Sequence, residues 1–221
     1  MGNDSGNRFP AIGRWLIVAL ATFYLAVVYG GASLKTQYSH LSQYISELNA
    51  VDTAWSWQIG YLGFVPLGLF GLVLLLIVEP RARLSGISRI GCWLLIAEPI
   101  AYVGSALAPC DLGCPSTGSL SQNVHNILSA ITLVVTTAGL VLLYFNRTIP
   151  LSKRAGWLVL ATTFIVLYSL ALVPDFAIWR GLLQRLAEAM LYGSLCLVSW
   201  RLLGIREKAT PVALDNQDGS A

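Results

Sequence analysis

Apolar residues in this chain fall into six long blocks separated by short polar stretches. Crossing about 30 Å of hydrocarbon as a helix takes roughly 20 mostly apolar residues, with every backbone polar group bonded inside the helix itself. Blocks at residues 12–34, 55–78, 88–107, 121–145, 155–173 and 179–203 reach that length. The pattern predicts an all-α fold: an integral membrane bundle of six transmembrane helices, forming one domain over residues 12–204. The connections are too short to hold a second domain. Residues 1–11 read as a polar amino-terminal stretch and 205–221 as a disordered tail, since both lack periodicity. The first block outruns the roughly 7 to 15 apolar residues of a secretory signal, so it is read as an uncleaved helix.

Between the first two blocks the pattern changes. From Lys35 to Ala50, Tyr38, Leu41, Tyr44, Ile45 and Leu48 recur at helical spacing, with His40, Gln43 and Glu47 on another face. This spacing predicts a short amphipathic helix lying at the membrane interface after the first span. It would act as a cover for the bundle, or as the lid of a pocket that presents His40, Ser46 and Glu47.

Composition agrees with the blocks. Only 11% of residues are charged and 56% are hydrophobic, with mean hydropathy +0.67, whereas a soluble domain carries about 25% charged residues. Charge placement predicts orientation, because basic residues are retained on the cytoplasmic side of short loops. With both termini cytoplasmic, only Lys35, Arg180 and Arg185 among the 14 Lys and Arg residues fall outside or near it. These charges serve topology and headgroup contact, and a nucleic-acid partner is not needed to explain them. The seven tryptophans, Trp15, Trp55, Trp57, Trp93, Trp157, Trp179 and Trp200, all fall near block ends, where interfacial anchors belong.

Polar chemistry gathers toward the non-cytoplasmic half. Cys110 and Cys114, four residues apart in a loop bracketed by Pro109 and Pro115, predict a disulfide in an oxidising compartment. No metal site is assigned, since one cysteine pair without a second pair or HxxxH is an incomplete zinc pattern. Ser119 to Gln122 has capping-box spacing and starts the fourth helix, placing His125 in its first two turns. Ser129, Thr132 and Thr136 continue a stripe from His125, which reads as interhelical packing or as a polar funnel.

Gln184, Arg185 and Glu188 form the strongest signal. Each ionisable group at such depth costs about 2.5 to 3.5 kcal/mol, so it is expected to face the bundle or a wet cavity. Arg185 and Glu188 can pair at i, i+3. Glu98, followed by the kink-forming Pro99, lies at a depth similar to Glu188. The two carboxyls can form a proton relay, floor a polar cavity, or fix helix register. Asp175, after Pro174, reads as the N-cap of the sixth helix.

Ser46-Glu47-Leu48, the Cys110-Asp111-x-Gly113-Cys114-Pro115 loop, His125, and Gly181-Leu182-x-Gln184-Arg185, in that order on six spans, resemble a bacterial membrane family. It is known as the domain of unknown function numbered 998. The resemblance covers about Trp15 to Leu203. It implies a six-span protein of the bacterial inner (plasma) membrane, brings no assigned activity or cofactor, and implies that Ser46, Glu47, Asp111, His125, Gln184 and Arg185 act together.

Three functions fit these residues. The first is a polar outward-facing pocket, holding these residues with Glu98 and Glu188, that binds a small anionic or lipid-like ligand on Arg185, whose planar fork suits carboxylate and phosphate. The second is a membrane-embedded hydrolase using His125, alone or with His40, and Asp111 or Glu47, either around a metal or as general acid and base. The third is a non-catalytic scaffold or accessory subunit contacting lipids and another protein. Nucleotide chemistry is not indicated, as no Walker loop or dinucleotide fingerprint occurs.

Overall fold

The computed structural model describes residues 8–204; the readings made for 1–7 and 205–221 lie outside the described residues. Six helices are long and apolar enough to cross a membrane: α1 (Ala11–Ser33), α2 (Ser56–Arg81), α3 (Gly86–Leu107), α4 (Leu120–Leu143), α5 (Leu151–Leu172) and α6 (Arg180–Gly204). No strand occurs among the described residues. The six expected spans are therefore present. The first begins earlier than expected, since helical backbone starts at Arg8.

The helices form a closed ring in chain order, each packed on its sequence neighbours, with α1 also packed against α6. Between 22% and 44% of the most apolar 18-residue stretch of each span is buried, which leaves every helix an outer face for lipid. Leu62, Val134 and Val159, all more than 60% exposed, are where such a surface is expected. Inside, one apolar cluster joins α1 and α2 to Ile45, Leu48 and the end of α3. A second joins α4, α5 and α6 around Leu140, Phe164 and Leu191.

Two prolines shape the spans. Pro99 lacks an N–H and its ring crowds the carbonyl four residues back, which is Leu95. The helix breaks there, with Leu95 and Ile96 donating to Cys92 and Trp93 in tight turns before helix resumes at Ala97. Glu98 thus sits in the first turn of a new segment. Pro66 stands in the same relation to Leu62, within a π-helical turn at Ile59–Phe64. Near the start of α3 and the end of α4 the two helices meet backbone to backbone: a Cβ on Gly91 would run into the Gly139 carbonyl, and one on Gly139 into that of Gly91. Small residues permit such close approach in membranes.

Segments 34–55, 108–119 and 173–179 gather at one end of the ring, here called the loop end. They are bonded together: Val51 N donates to Cys110 O, and Leu182 N to Leu41 O. The segment after α1 is not the continuous amphipathic helix that its spacing predicts. It turns through Gln37 and Asp52, both at positive φ, and forms only a 3-10 helix at Ile45–Asn49. The cause is competition for its backbone. The Ser39 hydroxyl accepts from Leu41 N and Ser42 N, and the Gln43 side chain accepts from Ser39 N. Ile45, Leu48 and Ala50 are buried, so the segment partly plugs the mouth of the ring instead of lying on its rim.

Asp175 does not cap α6. It lies in a separate 3-10 turn, Pro174–Phe176, and α6 begins at Arg180. Ser119 does cap α4, accepting from Gln122 N at 3.1 Å. Gln122 does not return the bond as a capping box requires; its side chain instead accepts from Asp111 N at 2.7 Å.

Candidate functional site

A cavity of about 80 Å³ opens inside the ring below the loop end. Among its lining residues are Ser46, Glu98, Tyr102, His125, Gln184 and Glu188. Glu98 and Glu188 lie nine and eight residues in from their helix ends, about 14 and 12 Å along the axes, so the similar depth read from sequence is realised. Both are buried, at 4% and 3% exposure.

Glu188 is the hub. Tyr24 of α1 (3.3 Å) and Tyr102 of α3 donate to Oε2, while Tyr168 of α5 (3.0 Å) and Gln184 of α6 (3.0 Å) donate to Oε1. Four donors from four helices converge on one carboxyl. Glu98 has a sparser setting, with one bond from the Thr136 hydroxyl to Oε1 at 3.0 Å. Phe64, Tyr102, Phe164 and Tyr168 supply aromatic wall, and no Lys or Arg lines the cavity.

Arg185 is not at the base of this pocket, and it makes no ion pair with Glu188. Its guanidinium turns toward the loop end, where Nη1 donates to the carbonyls of His40 (3.0 Å), Gln43 (2.9 Å) and Gly181 (2.8 Å), and Nη2 to the Tyr38 hydroxyl (2.6 Å). Three loop and helix-end carbonyls outcompete a carboxylate already filled by tyrosines. The cation therefore holds the loop plug on α6. Gly181 allows this contact, since a Cβ there would strike the backbone of His40 and Gln43.

Glu47 is likewise structural. It accepts from Tyr44 N (2.9 Å), the Gln43 side chain (3.0 Å) and Arg180 (3.0 Å). Arg180 also donates to Ser42 O and Gly113 O and stacks on the Tyr44 ring at 4.6 Å. Asp111 stands apart as well, accepting from Ser119 N (2.8 Å) and its hydroxyl (2.7 Å). The backbone N–H of Ser119, then its hydroxyl, hold the Asp111 carboxyl below the usual range. His40 packs between Tyr29 and Tyr38; burial, then Arg185, pushes its imidazole down.

His125 does reach the cavity. Its Nδ1 lies 3.0 Å from Ala108 O, and a carbonyl only accepts, so Nδ1 carries a hydrogen. The Cys110–Cys114 disulfide is present. Both sulfurs lie within 4.8 Å of a ring nitrogen of His125, but paired sulfurs are not thiolate ligands. Ser46 Oγ is 3.5 Å from Cys114 Sγ. Ser129 and Thr132 donate to carbonyls of their own helix; only Thr136 bonds across helices. Among the described residues no serine is bonded to the His125 ring, and neither Asp111 nor Glu47 orients it.

Of the expected site residues, Ser46, Glu98, His125, Gln184 and Glu188 share the cavity, whereas Glu47, Asp111 and Arg185 organise the loops above it. The sequence reading missed Tyr24, Tyr102 and Tyr168. A signal was present for Tyr24 alone: tyrosines favour membrane interfaces, and it stands well inside its span, whereas Tyr102 and Tyr168 lie about one turn from a span end. It also counted Arg180 only as a loop charge.

A closed six-helix membrane bundle around an internal carboxyl cluster defines a multi-pass membrane protein with a polar interior. The chain belongs to the family described as protein of unknown function, DUF998, which it matches over residues 17–201. No curated protein and no solved structure matches it.

Proposed function

We propose that this is a membrane-embedded binding protein whose cavity accepts the cationic head of a small amphiphile, an alkylammonium group, from the loop end. The carrying observation is the wall: two carboxyls and four aromatic rings, with no lysine or arginine among the lining residues. Aromatic faces attract ammonium groups, and cages of this kind recognise them. The volume of about 80 Å³ leaves room for at least two or three waters at about 30 Å³ each. That suits a head group with its alkyl tail outside.

The anionic ligand expected from Arg185 is disfavoured, because that guanidinium is occupied by loop carbonyls. The lipid-like character is retained. The loop end faces the non-cytoplasmic side of a plasma membrane in this reading, supported by the distribution of basic residues and by the disulfide. A hydrolase role for His125 has weaker support, since no nucleophile or orienting carboxylate contacts the ring.

The test is thermal stabilisation of the purified protein in lipid nanodiscs by hexylammonium, hexanoate or hexyl phosphate. Hexylammonium is expected to raise the unfolding temperature and to lose that effect in Glu188→Gln. Stabilisation by the anions alone would overturn the proposal.

A further inference from the structure

The two carboxyls of the cavity are not equivalent. A carboxylate offers about four acceptor positions, and on Glu188 all four are taken by donors, two on each oxygen. That environment holds the acceptor-only, ionised form. Arg185, three residues earlier on α6 and itself buried, supplies the balancing positive charge without touching it. The Arg185–Glu188 pair is thus neutral before Glu98 is considered.

Glu98 has no such support. Thr136 satisfies Oε1, and Oε2 has no hydrogen bond among the described residues. The side chain is 96% buried by its 4% exposure and lines the cavity. An unpaired charge in that position would stand beside Glu188 with no cation of its own, the arrangement in which one of two neighbouring acids keeps its proton. The titratable and charged groups around it are Tyr24 of α1, Tyr102 of its own helix, His125 of α4, Tyr168 of α5, and Arg185, Glu188 and Tyr192 of α6. From α2 comes only Phe64. His125 is bonded through Nδ1 to the Ala108 carbonyl, and Arg185 is committed elsewhere.

We propose that Glu98 is a proton-exchange site: it holds a proton in the empty cavity and gives it up when a monovalent organic cation enters. The step balances. The O–H bond of the Glu98 carboxyl breaks, its electron pair stays on the carboxylate, and the proton passes to water at the cavity mouth. The incoming ammonium replaces that proton as counter-charge, so one cation enters for each proton released. Glu188 stays ionised throughout as the fixed charge beside the ligand. This inference rests on the alkylammonium reading and adds a stoichiometry to it.

The experiment is calorimetric titration of the purified wild-type protein with hexylammonium at pH 7 in two buffers of different ionisation enthalpy. The difference between the observed heats gives the number of protons exchanged. The expected result is one proton released per cation bound, with affinity rising about tenfold per pH unit while Glu98 remains protonated. Glu98→Gln mimics the protonated carboxyl and is expected to bind more weakly, with no buffer dependence and no pH slope. Binding by the wild type with buffer-independent heats overturns proton exchange and leaves the alkylammonium reading standing. Absence of binding overturns both. The wild-type measurement decides even if Glu98→Gln does not fold.

Discussion

Removing one hydroxyl from the Glu188 hub tests whether that carboxyl is ionised. In Tyr102→Phe the ring keeps its packing against Phe64 and Tyr192, at centroid distances of 5.5 and 6.2 Å, and only one of the two donors to Oε2 is lost. A hydrogen bond to a charged acceptor contributes about 1.5 to 3 kcal/mol. Neutral interhelical bonds in membranes average about 0.6 kcal/mol and reach about 1.7. The two protonation states of Glu188 therefore predict different costs. For the ionised form, Tyr102→Phe should lose about 1.5 to 3 kcal/mol in reversible unfolding by sodium dodecyl sulfate in mixed micelles. Glu188→Gln should lose more, since its amide nitrogen replaces an acceptor between two donors, and breaking a buried charged network costs about 3 to 5 kcal/mol. The double variant separates the shared part. Groups in contact show coupling above about 0.5 kcal/mol, and here it should exceed 1 kcal/mol. A Tyr102→Phe cost near 0.6 kcal/mol with coupling under 0.5 would refute the ionised hub.

Three further predictions concern the loop end. Burial depresses the Lys35 amine to about 8, with Glu47 opposing the shift; amine acylation followed by peptide mass mapping should therefore reach half its maximal rate near pH 8 at Lys35, and an ordinary lysine profile there would contradict its burial. Asp111, held low by Ser119 N–H and hydroxyl, stabilises the fold above the ordinary Asp range and loses that contribution as pH falls through its lowered folded value. Melting curves of wild type and Asp111→Asn should converge in acid, and a constant gap from pH 6 to 2 would exclude this linkage. Of four cysteines, two are disulfide-bonded and Cys92 and Cys196 are free, so denaturing alkylation should add two labels before reduction and four after; four before reduction would show that the bridge is absent.

The spans were legible because bilayer thickness imposes a length that hydropathy alone reveals. Glu98 and Glu188 were legible because a carboxyl inside hydrocarbon has few places to go. Arg185 shows where such reading stops. Its i, i+3 spacing allowed a pair with Glu188, but the outcome depended on competing partners: tyrosines from three other helices filled the carboxylate, and carbonyls of residues 40 and 43 filled the guanidinium. Neither set lies near position 185 in sequence. The segment after α1 failed differently. Tyr38, Leu41, Tyr44, Ile45 and Leu48 have helical periodicity, yet Ser39 and Gln43 bind their own backbone, and a periodic pattern cannot register those bonds. Glu47 and Asp111 looked like cavity groups because they are acidic and near the loop end. Their partners, Arg180 and Ser119, make them fasteners.

The closed ring also sets an order of events during synthesis. The tyrosines that receive Glu188 come from the first, third and fifth helices, and the carboxyl arrives on the last. Chains truncated before α6 carry these three tyrosine hydroxyls without their shared acceptor, and hydroxyls can bond locally at little cost. Once α6 enters, the chain holds a bare acid that costs about 2.5 to 3.5 kcal/mol in hydrocarbon until the ring shuts around it. The final helix is thus inserted as an unfinished part, and closure of the ring completes it. A chain with any of the three tyrosine helices out of position would keep its acid exposed to lipid, leaving a mark by which cellular surveillance could distinguish it from the finished protein.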